Sequence, residues 1–216
     1  MILHLTCSPK GPAAYSRRFS ATVVERLRAA HPSATVTERD LAATPPPPPT
    51  PAFSAAVLSA APPDDPAFAH SELLLRELEA CDALVIGTPM HNYTVPAVLK
   101  AWIDQIVRIH RSFASTPAGK VGKLRDRPVY VVVASGGWYS DSAPAGVPRQ
   151  PDFLTPYLRA ILATIGLHTV HFITLEGVTR GPAAEALAFA TAQAALDRLL
   201  PPDLAHGVGE SLPPGT

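Results

Sequence analysis

Three segments of the 216-residue chain gather the side chains and glycines that could hold an anion or a flat ring. The first, Thr6-Cys7-Ser8-Pro9-Lys10-Gly11-Pro12-Ala13-Ala14-Tyr15-Ser16, is a hydroxyl-bearing turn that runs into a helical pattern. A turn ending at a helix N-terminus offers unpaired backbone N–H groups and the positive end of the helix dipole, which is the chemistry of phosphate binding. Ser8 and Ser16 are the candidate phosphate ligands. The second segment is Gly87-Thr88-Pro89-Met90-His91-Asn92-Tyr93-Thr94-Val95-Pro96. Its backbone amides and the Asn92 side chain can run along the polar edge of a flat heterocycle such as an isoalloxazine, with Met90 and Tyr93 against the apolar part. The third, Ala134-Ser135-Gly136-Gly137-Trp138-Tyr139-Ser140, sets two glycines before two aromatic rings. Glycines let backbone approach a planar ligand closely, and Trp138 or Tyr139 could stack on it.

Each segment also has a plainer reading. Ser16 could be a helix N-cap, Ser8-Pro9 a simple turn, and the glycine pair no more than a tight connection. His91 offers an acid–base group, yet a lone histidine in a loop is more commonly a packing or surface residue. No second histidine or carboxylate stands at ligand spacing around it, so no metal site is expected. Cys7 reads as a small packing residue. The pattern G-x-x-x-x-G-K-[ST] does not occur, which argues against a nucleoside triphosphate.

These segments need elements to bring them together. Apolar runs of strand length fall at 2–5, 83–87, 129–134 and 170–175, with a weaker one at 35–38. Unbroken runs of this kind suit strands buried on both faces of a parallel sheet. Helical patterns lie between them at 16–30, 68–80, 152–165 and 182–200. The clearest helix begins beside Pro96 and carries Val98, Leu99, Trp102, Ile103, Ile106 and Val107 on one stripe. Strict alternation with right-handed crossovers predicts an α/β, doubly wound, five-stranded parallel sheet of order 2-1-3-4-5 with helices on both faces. In that flavodoxin-like order the ligand sits where the strand order reverses, at the ends of strands one and three, and FMN is the ligand in flavodoxin itself.

Residues 1–200 are expected to form a single domain. The prolines between residues 42 and 66 predict an extended surface loop, and the Pro- and Gly-rich stretch 201–216 a mobile tail. Charge is balanced, with 18 basic and 18 acidic residues and no cationic run, so nucleic acid is not an expected partner. No apolar stretch approaches the roughly 18 residues of a membrane span, and no signal-peptide pattern follows Met1, so no membrane partner and a cytoplasmic protein are expected. Two cysteines cannot build a disulfide framework, which fits a reducing compartment.

The stretch from Pro89 to Asp104, P-M-H-N-Y-T-V-P-A-V-L-K-A-W-I-D, closely resembles the pattern P-M-Y-N-F-x-x-P-x-x-L-K-x-W-I-D of the FMN-dependent NADH azoreductase and quinone reductase family. Ser8-Pro9-Lys10-Gly11 with Ser16-Arg17-Arg18, then Arg39-Asp40-Leu41, Ser135-Gly136-Gly137 and Glu176-Gly177 before Gly181-Pro182 extend the likeness over roughly residues 2–200. The resemblance implies an oxidoreductase carrying FMN, with NADH or NADPH as electron donor and a quinone or azo compound as acceptor, working by ping-pong transfer in a homodimer with flavin at the subunit interface. By position it implies cofactor contacts from Ser8, Ala14, Tyr15 and Ser16 at the phosphate, from Pro89, Met90, His91, Asn92 and Tyr93 at the ring and ribityl chain, and from Ala134, Ser135, Gly136 and Gly137 at the ring edge. It implies an acceptor pocket near Phe113, Trp138 and Tyr139. The flavin would carry the chemistry, with no obligatory catalytic side chain and at most a minor role for His91.

Two departures stand out. Where the family has Ser-x-Ser, this chain has Ala14-Tyr15-Ser16, and where it has F-x-Y-T, this chain has Phe113-Ala114-Ser115-Thr116. One phosphate-facing hydroxyl and one pocket aromatic are therefore missing. An electron carrier without turnover, or a relative that has lost flavin, are the alternative readings.

Overall fold

Residues 1–202 are described by the computed structural model, and five parallel strands form its centre in the order β2-β1-β3-β6-β7. These are β1 (Ile2–Thr6), β2 (Val36–Asp40), β3 (Ala83–Pro89), β6 (Val129–Ala134) and β7 (Val170–Leu175). The expected order of the sheet strands is kept, but two further strands enter the count. These are β4 (Phe113–Thr116) and β5 (Gly119–Gly122), an antiparallel hairpin outside the sheet.

Period-two alternation divides the core. Leu3, Leu5, Leu84, Ile86, Val131 and Val133 face one layer of helices, α3 (Ala69–Ala80), α4 (Ala97–Ile106) and α5 (Thr155–Ile165). Ile2, Val85, Val132 and Ile173 face the other, α1 (Tyr15–Ala30) and α6 (Pro182–Leu199), through Phe19, Val23, Leu27, Ala188, Ala192 and Leu196. Each fully buried Leu or Val is worth roughly 1.5–3 kcal/mol, so the largely apolar central strands are what fix the register. Parallel pairing sets Thr6 beside Gly87, Pro89 beside Ala134 and Ala134 beside Leu175, so four strands end at one level.

Helix α1 lies close against that edge because β3 has no side chain at Gly87. A Cβ there would overlap Ser20 Oγ and come within 3.0 Å of the Ser16 carbonyl oxygen.

The Pro-rich connection departs from the extended loop expected of it. Residues 45–50 have no regular structure, but Pro51–Leu58 forms the two-turn helix α2. The Thr50 side chain caps it by accepting the Phe53 N–H at 3.1 Å, and Pro51 occupies the first turn, where its missing N–H costs nothing. Phe53 and Ala56 then pack on Phe68. The predicted tail falls, from residue 203 onward, outside the described residues.

Candidate functional site

The amino end of α1 decides between the two readings of Ser16. Ala14, in extended conformation (φ −68°, ψ 131°), is the N-cap and makes no side-chain cap bond. Ser16 therefore sits inside the first turn and caps nothing. Its Oγ is fully buried and has no hydrogen-bond partner. The Ala14 carbonyl receives the Arg18 N–H at 3.0 Å, which leaves the N–H groups of Tyr15, Ser16 and Arg17 without acceptors at the positive end of a sixteen-residue helix. Ser8 is 8% exposed and turns the chain, its carbonyl accepting the Gly11 N–H at 3.2 Å and its Oγ the Lys10 N–H at 3.3 Å. The turn reading of Ser8 thus holds together with its place at the cavity.

At the end of β3, Met90 donates its N–H to the Ala134 carbonyl at 2.8 Å, while His91 and Thr94 exchange N–H···O bonds of 2.9 Å. Two of the amides expected to lie along a ligand are thus already committed to the protein. Those of Asn92 and Tyr93, at the tip of this tight turn, are not. Both tip residues hold left-handed backbone, with φ of 48° and 69°. Tyrosine pays for that conformation, and such strain collects at binding sites. The Tyr93 carbonyl is tied down by the Phe153 N–H at 2.9 Å, and the Tyr93 ring stays 44% exposed.

The loop after β6 is held by its neighbour after β7. Val178 donates its N–H to the Ser135 carbonyl at 3.2 Å, Thr179 its hydroxyl to the Gly136 carbonyl at 3.2 Å, and Gly177 its N–H to the Gly137 carbonyl at 3.2 Å. A Cβ at Gly136 would lie 2.8 Å from Thr179 Oγ1, so the glycine serves this internal approach as well as any ligand.

One cavity of about 250 Å³ results, lined by Ser8, Ala14, Tyr15, Ser16, Pro89, Met90, His91, Ala134 and Gly136. Pro9, Lys10, Val178 and Thr179 complete its wall. The last two, from the loop after β7, were not anticipated; the signal that could have found them is that β7 pairs with β6 and must end beside it. Asn92, Tyr93, Ser135 and Gly137 flank the cavity without lining it. Phe113 opens the hairpin, Trp138 faces a different cavity, and Tyr139 is only 9% exposed, packed in the core. None of these three reaches the cavity. Burial raises the Tyr139 hydroxyl pKa far above the ordinary tyrosine value, with the nearby Glu176 adding to the shift. Burial likewise pushes the Cys7 thiol up, which agrees with a packing residue rather than a nucleophile. Among the described residues no cluster of metal-ligating side chains is present, and no helix is long and apolar enough to cross a membrane.

Residues 1–200 match a family model described as a flavodoxin-like fold. The chain is 45% identical over 195 residues to FMN-dependent NADH:quinone oxidoreductase 4 of Pseudomonas fluorescens, covering 90% of this chain and 93% of that one. It is 47% identical over 196 residues to FMN-dependent NADH:quinone oxidoreductase 5 of Burkholderia lata, covering 90% and 94%. Among solved structures, the azoreductase of Bacillus anthracis strain Sterne superposes with a TM-score of 0.75 at 26% identity, over 92% of this chain and 98% of that one.

Proposed function

Because the chain belongs to the flavodoxin-like family of FMN-dependent NADH:quinone oxidoreductases, we propose that it binds FMN in the cavity at the amino end of α1 and carries electrons from NADH to quinones or azo compounds. The observation that carries the assignment is Ser16: a buried hydroxyl without a protein partner, beside three unpaired N–H groups, has the donor set of a phosphate cradle. Burying a hydroxyl unpaired costs about 1–3 kcal/mol, a cost that a bound phosphate removes. Lys10 lies in the same wall, and its side chain brings a positive charge to that side of the cavity.

The other residues suit the rest of the cofactor. Pro89, Met90 and Ala134 give an apolar surface for the ring, the Gly136 N–H in the cavity wall is a donor for its polar edge, and the uncommitted N–H groups of Asn92 and Tyr93 stand beside the cavity. When bound, FMN supplies acceptance and release of a hydride equivalent. The protein's part is to align the donor and acceptor, exclude water and direct N–H groups at developing negative charge. His91 is exposed at the cavity rim and makes no side-chain hydrogen bond that would build it into a relay.

The reading extends to a ping-pong order, in which the oxidised nicotinamide leaves before the acceptor enters the same space. It also extends to a homodimer of single-domain chains in a reducing cytoplasm. About 250 Å³ is below the roughly 300–1,000 Å³ usual for small-molecule sites, and two exposed aromatic rings, Tyr93 and Phe153, stand beside it, so a second copy would complete the wall. Initial rates with NADH and a quinone varied together, on protein reconstituted with FMN, test the kinetic order. Parallel double-reciprocal lines are expected. Intersecting lines would require both substrates bound at once.

A further inference from the structure

A second cavity, of about 400 Å³, adjoins the first across the loops that follow β6 and β7. Ala134, Gly136, Val178 and Thr179 line the cavity already described, whereas Trp138, Glu176 and Arg180, from the same two loops, line this one. Glu176 is 5% exposed, and its Oε2 accepts the N–H groups of Tyr139 at 2.8 Å and Ser140 at 3.2 Å. Its Oε1 is buried with no partner, an acceptor that only a ligand or water can satisfy.

The Trp138 indole rests on Gly177, whose backbone would not tolerate a Cβ beneath the ring, so its position is fixed. The Arg180 guanidinium stands 5.9 Å from the centre of that ring, exposed and without an ion-pair partner among the described residues. Ala184 and Leu187 of α6 make the floor apolar, and Leu187 is 64% exposed. An unsatisfied acceptor, a fixed aromatic ring, an apolar floor and a free cation at the rim together fit a flat base that carries an N–H donor and a phosphorylated tail.

We propose that this cavity receives the adenosine diphosphate half of the nicotinamide donor. The exocyclic amine of the base donates to Glu176 Oε1, the base packs on Trp138 and Leu187, and Arg180 holds the diphosphate. The shared wall then puts the nicotinamide end at the first cavity. This inference rests on the reading of NADH as donor, so its first test is a binding measurement that needs no turnover.

Calorimetric titration of the FMN-reconstituted protein, whose first phosphate site is filled, with ADP and with inosine diphosphate, which presents an acceptor where ADP presents the amine, separates the two. ADP is expected to bind at least about tenfold more tightly, the worth of one satisfied buried hydrogen bond. Glu176→Gln keeps an oxygen for the two loop N–H groups and offers an amide N–H in place of Oε1, so it should reverse the preference. Arg180→Ala, on the surface, should weaken both ligands about tenfold and leave their ratio unchanged. No binding of ADP, equal binding of the two nucleotides, or an ADP preference that survives in folded Glu176→Gln overturns the proposal.

Should Glu176→Gln not fold, the KM for NADH against that for reduced nicotinamide mononucleotide is measured in Arg180→Ala. A tenfold rise confined to NADH supports the subsite, and an equal rise for both overturns it. A protein that binds ADP yet oxidises neither donor would leave the subsite standing and sink the oxidoreductase reading instead.

Discussion

At the scale of single residues, Ser16 makes a prediction of opposite signs. Its hydroxyl has no partner inside the protein, so Ser16→Ala removes a desolvation cost from the flavin-free fold and takes a hydrogen bond from the cofactor phosphate. Thermal unfolding without FMN should be unchanged or shifted upward, while the dissociation constant for FMN rises by about tenfold to a hundredfold, as loss of a charge-assisted bond of roughly 1.5–3 kcal/mol requires. A variant that loses stability but keeps its FMN affinity would return Ser16 to a structural role. Ala14, the first position of the Ser-x-Ser pattern that the resemblance leads one to expect, is the helix N-cap, so the alanine there gives up a side-chain cap as well as the expected phosphate hydroxyl. His4 carries a different kind of statement. Its Nε2 is 2.8 Å from Ser20 Oγ beneath α1, and burial lowers its pKa from 6.5, opposed in part by Glu38. A histidine whose folded pKa is depressed contributes stability above about pH 6.5 and loses it as the pH falls through the lower folded value. Urea unfolding at several pH values should therefore show stability declining below about pH 6.5, and His4→Gln should flatten that decline. An unchanged slope in the variant would assign it to other groups.

At the scale of elements, the hairpin β4–β5 is pinned to the end of α5. Lys123 donates its N–H to the Ser112 carbonyl at 2.9 Å and Leu124 to the Ile165 carbonyl at 3.0 Å, and a Cβ at Gly122 would run into the backbone of Ile165 and Gly166. Gly122→Ala should cost about 1–3 kcal/mol in denaturant unfolding through overpacking against backbone that cannot move aside. Full stability would mean that the hairpin is loosely docked. This hairpin also marks where sequence reading stopped. The sheet strands are legible because Val129–Ala134 is an unbroken apolar run and Ile2–Leu5 is broken only by His4, a pattern that two-sided burial produces. The run 113–116 is half polar and 119–122 contains two glycines, so neither carries a strand period, and their pairing follows from tertiary docking. Helix α2 hid in its proline content, although Thr50-Pro51 is a cap followed by a first-turn proline. Of the site, the turns after β1 and β3 and part of the turn after β6 were readable, since each ends a strand. Trp138 and Tyr139 do not line this cavity, because side-chain direction after a glycine pair depends on the loop partner, here Glu176, which takes the Tyr139 N–H and holds the loop inward.

At the scale of the whole molecule, the order β2-β1-β3-β6-β7 places the loops after β1, β3, β6 and β7 along one edge, which is why residues as distant as Ser8 and Thr179 line one cavity. The proposed second copy belongs to this scale. Replacing both Tyr93 and Phe153 by aspartate should shift the protein to monomer in sedimentation and weaken FMN binding in parallel. A tight dimer in that variant would move the interface elsewhere. The central claim, that this edge holds FMN and passes electrons from NADH to a quinone, is tested most directly by one anaerobic titration. Protein reconstituted with FMN and freed of excess cofactor should lose its visible flavin absorption on addition of one equivalent of NADH and recover it on addition of one equivalent of quinone. Protein that retains no flavin, or a bound flavin that NADH leaves oxidised, would contradict it.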